Sequence, residues 1–404
     1  MSAFSFAIHT RDGKARTGTI TTPNGTIETP AFSPVGTKAN VKGVFPDTLK
    51  GLGAQVVLAN TYHLYLQPGE EIVKNAGGLA KFMGWNGPTM TDSGGYQVFS
   101  LGAAFGRTVS KFVKAEDEVT SAPTVYDEEV ATQHGQLAII DEEGVTFTSH
   151  IDGTLHRFTP ERSVEIQHAL GADMFFAFDE CTSATASYEY QKEAMERTHR
   201  WAKRSLDAHR RNLEARKSQA IFGIVQGGRY EDLRAESAKE IASLGFDGIG
   251  IGGSFSKEDM RGALQAAVEH LPEELPRHFL GIGEPGDVLE GIANGMDLFD
   301  CVAPTRIGRH GTIYTMRGPI SLVKAEYAAD YGPLDPECVV PGTETFTRAY
   351  VSHLFRAKEW MGGVIAATHN EGFIVGLVDG ARKALQEGRF KEYCDTFRKN
   401  YYRN

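Results

Sequence analysis

Cysteine is scarce in this chain, and what there is lies apart. The four residues, Cys181, Cys301, Cys338 and Cys394, form no C-x-x-C pair. That spacing excludes a disulfide framework and a standard zinc finger. Free thiols fit a reducing compartment. Long apolar runs are missing too. No stretch of about 18 apolar residues exists, so no membrane span is expected. The opening MSAFSFAIHTRDGKARTG lacks the apolar core of a secretory signal. A cytoplasmic, soluble protein is the expectation. Positive charge is in deficit, with 42 Lys and Arg against 52 Asp and Glu, net −10. Charge alone therefore does not point to a nucleic-acid binder. A local patch can hide in a global sum, however. RTHRWAKRSLDAHRRNLEARK (197–217) and RFKEYCDTFRKNYYRN (389–404) are the two basic stretches. Either reads as a solvated helix face. The second also mixes cations with Tyr393, Phe397, Tyr401 and Tyr402, the composition of a nucleic-acid surface. No long Pro/Ser linker and no internal repeat is found.

What is present is glycine, 45 residues in 404, and enough hydrophobic residues, 41%, for a large core. Short apolar runs recur, each ending in small or polar residues. They are PAFSPVGT (30–37), QVVLANTYH (55–63), PTMTDSGG (88–95), MFFAFDEC (174–181), IFGIVQGG (221–228), DGIGIGGS (247–254), HFLGIGEP (278–285) and MDLFDCVAP (296–304). Runs of this length suit strands buried on both faces. Helical patterns lie between several of them, such as 161–170, 190–209, 230–244 and 257–271. Strand, polar tip and helix, eight times over, predict a (β/α)8 TIM barrel. A doubly wound open sheet is the alternative, but no G-x-G-x-x-G follows the first strand.

Two segments break the rhythm. An acidic, weakly apolar insertion covers about 102–141, within a barrel region spanning 1–304 that opens on an N-terminal β segment. After the eighth strand, 305–362 reads as an inserted small subdomain. Residues 363–404 then read as the closing barrel helix and a C-terminal tail.

Active sites of such barrels lie at the C-terminal ends of the strands. Those ends carry Asp92, Ser93, Asp179, Glu180, Gln226, Gly253, Ser254 and Asp300. A single Asp there is often the N-cap of the next helix. Several carboxylates at one mouth suit glycosidic-bond chemistry, where one attacks the anomeric carbon and another manages protons.

NTYHLYLQPG, TDSGGYQVFSL, TPERSVEIQHALGAD, FDEC, FGIVQGG, MDLFDCVAPTRIGRHG, PLDPEC and TRAYVSHL resemble, in order, the queuine tRNA-ribosyltransferases, the tRNA-guanine transglycosylases. The likeness runs from about residue 5 to 402 and is closest to the bacterial single-domain form. It implies exchange of guanine at the anticodon wobble position for a 7-deazaguanine base, queuine or preQ1. Asp300 matches the nucleophile that forms a covalent ester with the ribose. Asp92 matches the general acid/base. Ser93, Tyr96, Asp179, Gln226, Gly253, Ser254 and Phe279 match the base-binding groups, with Phe279 where a Tyr is more usual. Arg306 and Arg309 match residues that hold the tRNA, whose anticodon would be GUN. Phe346, Tyr350 and His353 match a dimer contact, so a homodimer is implied. The alternative is a catalytically silent tRNA-binding accessory subunit of the same family. A silent subunit has no need of both Asp92 and Asp300.

The chain departs from the family pattern in three further places. GGSFSKE (252–258) replaces GGLAVGE or GGLSGGE, which puts Ser254 in place of a Leu. Ser256 stands where Val suits a small base and Gly admits the cyclopentenediol of queuine. Glu284 replaces a Lys, which implies a weaker tRNA contact. The zinc motif is the largest departure. Cys338 and His369 are kept, but Val340 and Thr343 stand at the other two Cys positions. Two donors lost from a tetrahedral site predict no cofactor, with zinc as the alternative. Asp335, Glu337 and Glu344 are the nearby carboxylates in sequence.

Overall fold

The structure is a computed structural model and describes residues 4–102, 138–253 and 256–402. Eight short strands form one sheet: β1 (Ala31–Pro34), β2 (Val57–Ala59), β3 (Thr89–Thr91), β4 (Met174–Phe176), β5 (Ala220–Val225), β6 (Gly248–Ile251), β7 (Arg277–Phe279) and β8 (Leu298–Cys301). Their hydrogen-bonded order is β1-β8-β7-β6-β5-β4-β3-β2. A parallel bridge between Val35 and Leu58 joins the two ends of that order. This is the (β/α)8 barrel topology. All eight apolar runs of the sequence are its strands. Every residue of β5, AIFGIV, is buried, as expected of a strand covered on both faces.

By chain contact the molecule divides into two compact units, each with its own core. The first comprises Asn60–Leu79 and Met90–His278, with Met1–Phe4. Its core is aromatic. Phe178 stacks on Trp201 at 5.0 Å, and Phe176 meets Phe222 edge-on at 5.6 Å. Its helices start where the sequence supplies caps. Thr159 accepts from the Arg162 amide and Pro160 opens α2 (Pro160–Leu170), which ends at left-handed Gly171. Ser187 caps α3 (Tyr188–Arg211) in the same way. α4 (Glu231–Leu244) and α5 (Met260–Val268) follow β5 and β6.

The second unit comprises Ser5–Ala59, Ala80–Thr89 and Phe279–Asn404. A three-stranded antiparallel sheet, Ser5–Asp12, Ala15–Thr22 and Gly25–Thr29, opens it. Arg16 on its middle strand forms a buried two-point pair with Asp297, at 2.9 and 2.5 Å, just before β8. α6 (Pro285–Ala293) follows β7, and α7 (Ala303–Arg309) follows β8. Beyond it come a small ribbon (Thr312–Ile313 with Ile320–Ser321), a 3-10 turn (Ala325–Ala329) and α8 (Arg348–Arg356). Ile313, Leu322, Leu334, Val351, Leu354, Ile365 and Ala366 form the core of this region. The long α9 (Trp360–Gln386) begins three residues before the expected boundary and is followed by α10 (Phe390–Tyr401). The acidic segment expected at about 102–141 lies outside the described residues as far as residue 137, where only its last strand, Ala138–Asp141, is described. Among the described residues, no helix is long and apolar enough to cross a membrane.

Candidate active site

In the first unit, Asp92 follows the last residue of β3, and four donors fix its carboxylate. Oδ1 accepts from the Thr61 amide at 2.8 Å and the Gly94 amide at 3.2 Å. Oδ2 accepts from Gln97 Nε2 at 3.1 Å and, in a very short contact, from Asn60 Nδ2. The Thr61 hydroxyl also donates to the Asp92 carbonyl at 2.6 Å. A carboxylate held by so many donors keeps one orientation, as proton transfer at a defined atom requires.

The neighbouring tips build a second polar group. Ser93 Oγ donates to Asp179 Oδ1 at 2.7 Å. Gln226 Nε2 donates to Asp179 Oδ2 at 2.6 Å. With its amide nitrogen committed to the carboxylate, Gln226 keeps Oε1 as an acceptor, buried and without a partner among the described residues. Gly253 closes against this group. Its φ is +81°, and a Cβ there would lie 2.8 Å from Gln226 Oε1. Only a bare backbone fits. The structure thus brings Ser93, Asp179, Gln226 and Gly253 together. Tyr96 sits in the first turn of α1 (Gly95–Gly102), 38% exposed. Ser254 lies outside the described residues. Ser256 Oγ donates to Asp259 Oδ2 at 2.8 Å and accepts from the Asp259 amide.

Glu180, next along from Asp179, is buried and turned to a structural task. It pairs with Arg197, accepts from Tyr190 Oη at 2.7 Å, and its amide donates to Thr198. α3 thereby grips the end of β4.

In the second unit, Asp300 lies within β8, and its Oδ1 accepts from the Gly281 amide at 2.9 Å. Phe279 is fully buried, edge-on to Phe299 at 6.4 Å. Glu284 caps α6 through the Asp287 amide and accepts from Tyr402 Oη at 2.7 Å, so the residue standing in place of a Lys has a local structural role. Arg306 and Arg309 on α7 are exposed. Lys42 lies near Arg309: burial first, then the charges of Arg309 and Lys38, lower its pKa. Sequence reading missed Lys38 and Lys42, which lie more than 250 residues upstream of Arg309.

The two residues kept from the metal motif, Cys338 and His369, lie among these neighbours. Burial, then Asp335, pushes the Cys338 thiol up to about 11. His369 Nε2 donates to the Tyr314 carbonyl at 2.9 Å, leaving Nδ1 as a buried lone pair without a partner. Thr343 Oγ1 donates to the Val340 carbonyl at 3.0 Å. Asp335 accepts from the Met316 and Glu337 amides, and Glu337 pairs with Arg317. Among the described residues, no three His, Cys, Asp or Glu side chains are placed to hold a metal. Val340 is buried where a ligand stood in the motif. Phe346, just before α8, stacks on Tyr350 of that helix at 5.7 Å, and Tyr350, 43% exposed, and His353 face solvent.

A sequence model of the family described as queuine tRNA-ribosyltransferase matches residues 12–124 and 108–403. Curated relatives named "Queuine tRNA-ribosyltransferase" are similar along their whole length. That of Acetivibrio thermocellus is 47% identical over 386 residues, 95% of this chain and 93% of the relative. That of Caldanaerobacter subterraneus is 43% identical over 409 residues, 100% and 99%. That of Zymomonas mobilis is 43% identical over 402 residues, 99% and 96%.

Proposed function

Because the chain belongs to the queuine tRNA-ribosyltransferase family, we propose that it replaces guanine at the wobble position of GUN anticodons with a 7-deazaguanine base through an ester on Asp300. The enzyme is a pentosyltransferase. Asp300 attacks C1′ of the ribose as the C1′–N9 bond breaks and its electron pair leaves with the base. Asp92 supplies the proton that neutralises the departing guanine. It then takes the N9 proton of the incoming base, whose nitrogen attacks C1′ and releases the Asp300 carboxylate. The purine must leave the anticodon stack to reach such a pocket.

One observation carries this reading: the Ser93–Asp179–Gln226 group beside the bare backbone of Gly253. A carboxylate and the open Gln226 Oε1 suit the amino and ring N–H groups of a guanine-like base, and a backbone N–H suits its carbonyl. Tyr96 stacks on that base, and Ser254 and Phe279 complete the base-binding set. The exposed Arg306 and Arg309, with Lys42 beside Arg309, suit anticodon phosphates. The test is incorporation of labelled guanine into GUN-anticodon tRNAs, with Asp300→Ala as the control and preQ1 and queuine offered in parallel. Exchange by the unmodified protein but not by Asp300→Ala is expected. No exchange by either would favour the silent accessory subunit.

The exposed Tyr350 and His353, with half-buried Phe346 stacked on Tyr350, suit a homodimer contact. A monomer in sedimentation at micromolar concentration would refute it. The Cys338/His369 pair supports a subdomain that holds its shape without metal.

A further inference from the structure

Arg234 sits in the first turn of α4 and is wholly buried. A cation there is expensive. It loses its hydration, and it lies at the positive end of a helix. Burial lowers its pKa to about 10, which still leaves the guanidinium charged at neutral pH. What it gains is a set of carbonyls from two loop tips. Nε donates to Gly228 O at 2.7 Å. Nη1 donates to Val225 O at 3.1 Å and to Gly252 O at 2.8 Å.

The last two acceptors have a particular place in the chain. Val225 immediately precedes Gln226, and Gly252 immediately precedes Gly253. A trans peptide group is planar, with its C=O and the following N–H pointing in opposite directions. Pinning the Gly252 carbonyl to Arg234 therefore aims the Gly253 N–H away from Arg234. Pinning the Val225 carbonyl likewise fixes the peptide of Gln226, whose N–H donates to Ser237 Oγ at 3.1 Å. One nitrogen thus sets the backbone directions of both residues. A Cβ on Gly253 would lie 2.8 Å from Arg234 Nη2, so the guanidinium also packs against that residue directly. A Lys ammonium is a point charge on a flexible stem and cannot hold both tips in one plane.

We propose that Arg234 is a positioning residue that locks the tips of β5 and β6 into a single base reader, and so sets the affinity for the exchanged base without touching it. This rests on the reading that Gln226 and Gly253 hold the base.

The experiment compares Arg234→Lys and Arg234→Gln with the unmodified protein. It measures equilibrium binding of free guanine, KM for guanine and for tRNA, and apparent melting temperature. A misdirected donor typically costs 10- to 100-fold, so guanine binding should weaken by about that much, less for Lys than for Gln. KM for tRNA should stay within about twofold, because phosphate contacts dominate nucleic-acid affinity. Guanine binding within twofold of the unmodified protein, in either variant, overturns the proposal. So does an equal loss of guanine and tRNA affinity, which marks a merely structural residue. If Arg234→Gln does not fold, Arg234→Lys decides, by the same twofold criterion. Absence of guanine binding by the unmodified protein is a separate outcome, the failure of the parent reading.

Discussion

Glu371 should cost this protein stability above pH 5, and replacing it with Leu should recover that stability. The residue lies in the middle of α9, with no exposed surface, and neither carboxyl oxygen has a hydrogen-bond partner among the described residues. Burial raises its pKa from 4.5 to about 8. In the unfolded chain the carboxyl ionises near its ordinary value. The folded chain must therefore hold a proton that the unfolded chain has lost. For an acid with a raised folded pKa, stability is complete below the unfolded value and falls as pH rises to the folded one. Each pH unit in that window costs about 1.36 kcal/mol, so the cost is about 3 kcal/mol at pH 7 and levels off near pH 8. A smaller, pH-independent cost of about 1–3 kcal/mol comes from the unpaired polar atoms themselves. At roughly 2 cal/mol/K of unfolding entropy per residue, 3 kcal/mol in a chain of this length moves the melting point by about 3–4 °C. The assay is thermal unfolding of the unmodified protein and Glu371→Leu at one scan rate, from pH 5 to pH 8.5. The difference in melting point should widen with pH and flatten near pH 8. A difference that stays constant across this range would refute the reasoning, because it would place the charge elsewhere.

Restoring the missing thiols, Val340→Cys with Thr343→Cys, should create a site that retains about one zinc per chain, measured by mass spectrometry after purification without chelator. The unmodified protein should retain none, and about one zinc per chain there would disprove the metal-free reading. Arg309→Ala should raise KM for tRNA with little change in KM for the free base. It should also lower the salt slope of tRNA binding by about one, and an unchanged slope would remove Arg309 from the phosphate contacts.

The fold was legible because buried parallel strands are written as contiguous apolar runs, and all eight runs became strands. The polar tips were legible for a related reason, since a barrel places its strand ends at one face. Asp92, Ser93, Asp179 and Gln226 could be named from that rule alone, and within the first unit the last three meet as a hydrogen-bonded group. What the sequence hid are the partners that aim these residues. Arg234 sits in YEDLRAES, a stretch that reads as an ordinary amphipathic helix with a surface Arg. Its burial depends on which face of α4 meets β5, and periodicity alone does not specify which polar residue is taken inside. Glu284 reads from the sequence as a weaker tRNA contact, and nothing there shows that its carboxylate also caps α6 and receives Tyr402 from the C-terminal end. Lys42 and Arg309 are far apart in sequence and were not readable as one cluster.

His369 keeps an arrangement that metal-binding histidines share. A metal-binding imidazole commonly donates one N–H to a carbonyl, which leaves the other nitrogen as a lone pair for the metal. His369 has that arrangement, with Nε2 on the Tyr314 carbonyl and Nδ1 unpaired. Asp335 is near enough to act on its charge, and Val340 packs on the same helix at Gly372. Val340 is buried, and a Cβ on Gly372 would lie 2.3 Å from its Cγ1. Val340 therefore fits only because position 372 has no side chain. The two residues form one packing unit, which gives a directional test of what replaced the metal. Gly372→Ala alone should destabilise the subdomain by overpacking, typically about 1–3 kcal/mol. Combined with Val340→Ala, which removes the clashing methyl, it should cost less than the sum of the two single changes. Strict additivity in that double-mutant cycle would mean that Val340 and Gly372 are not what holds this corner together.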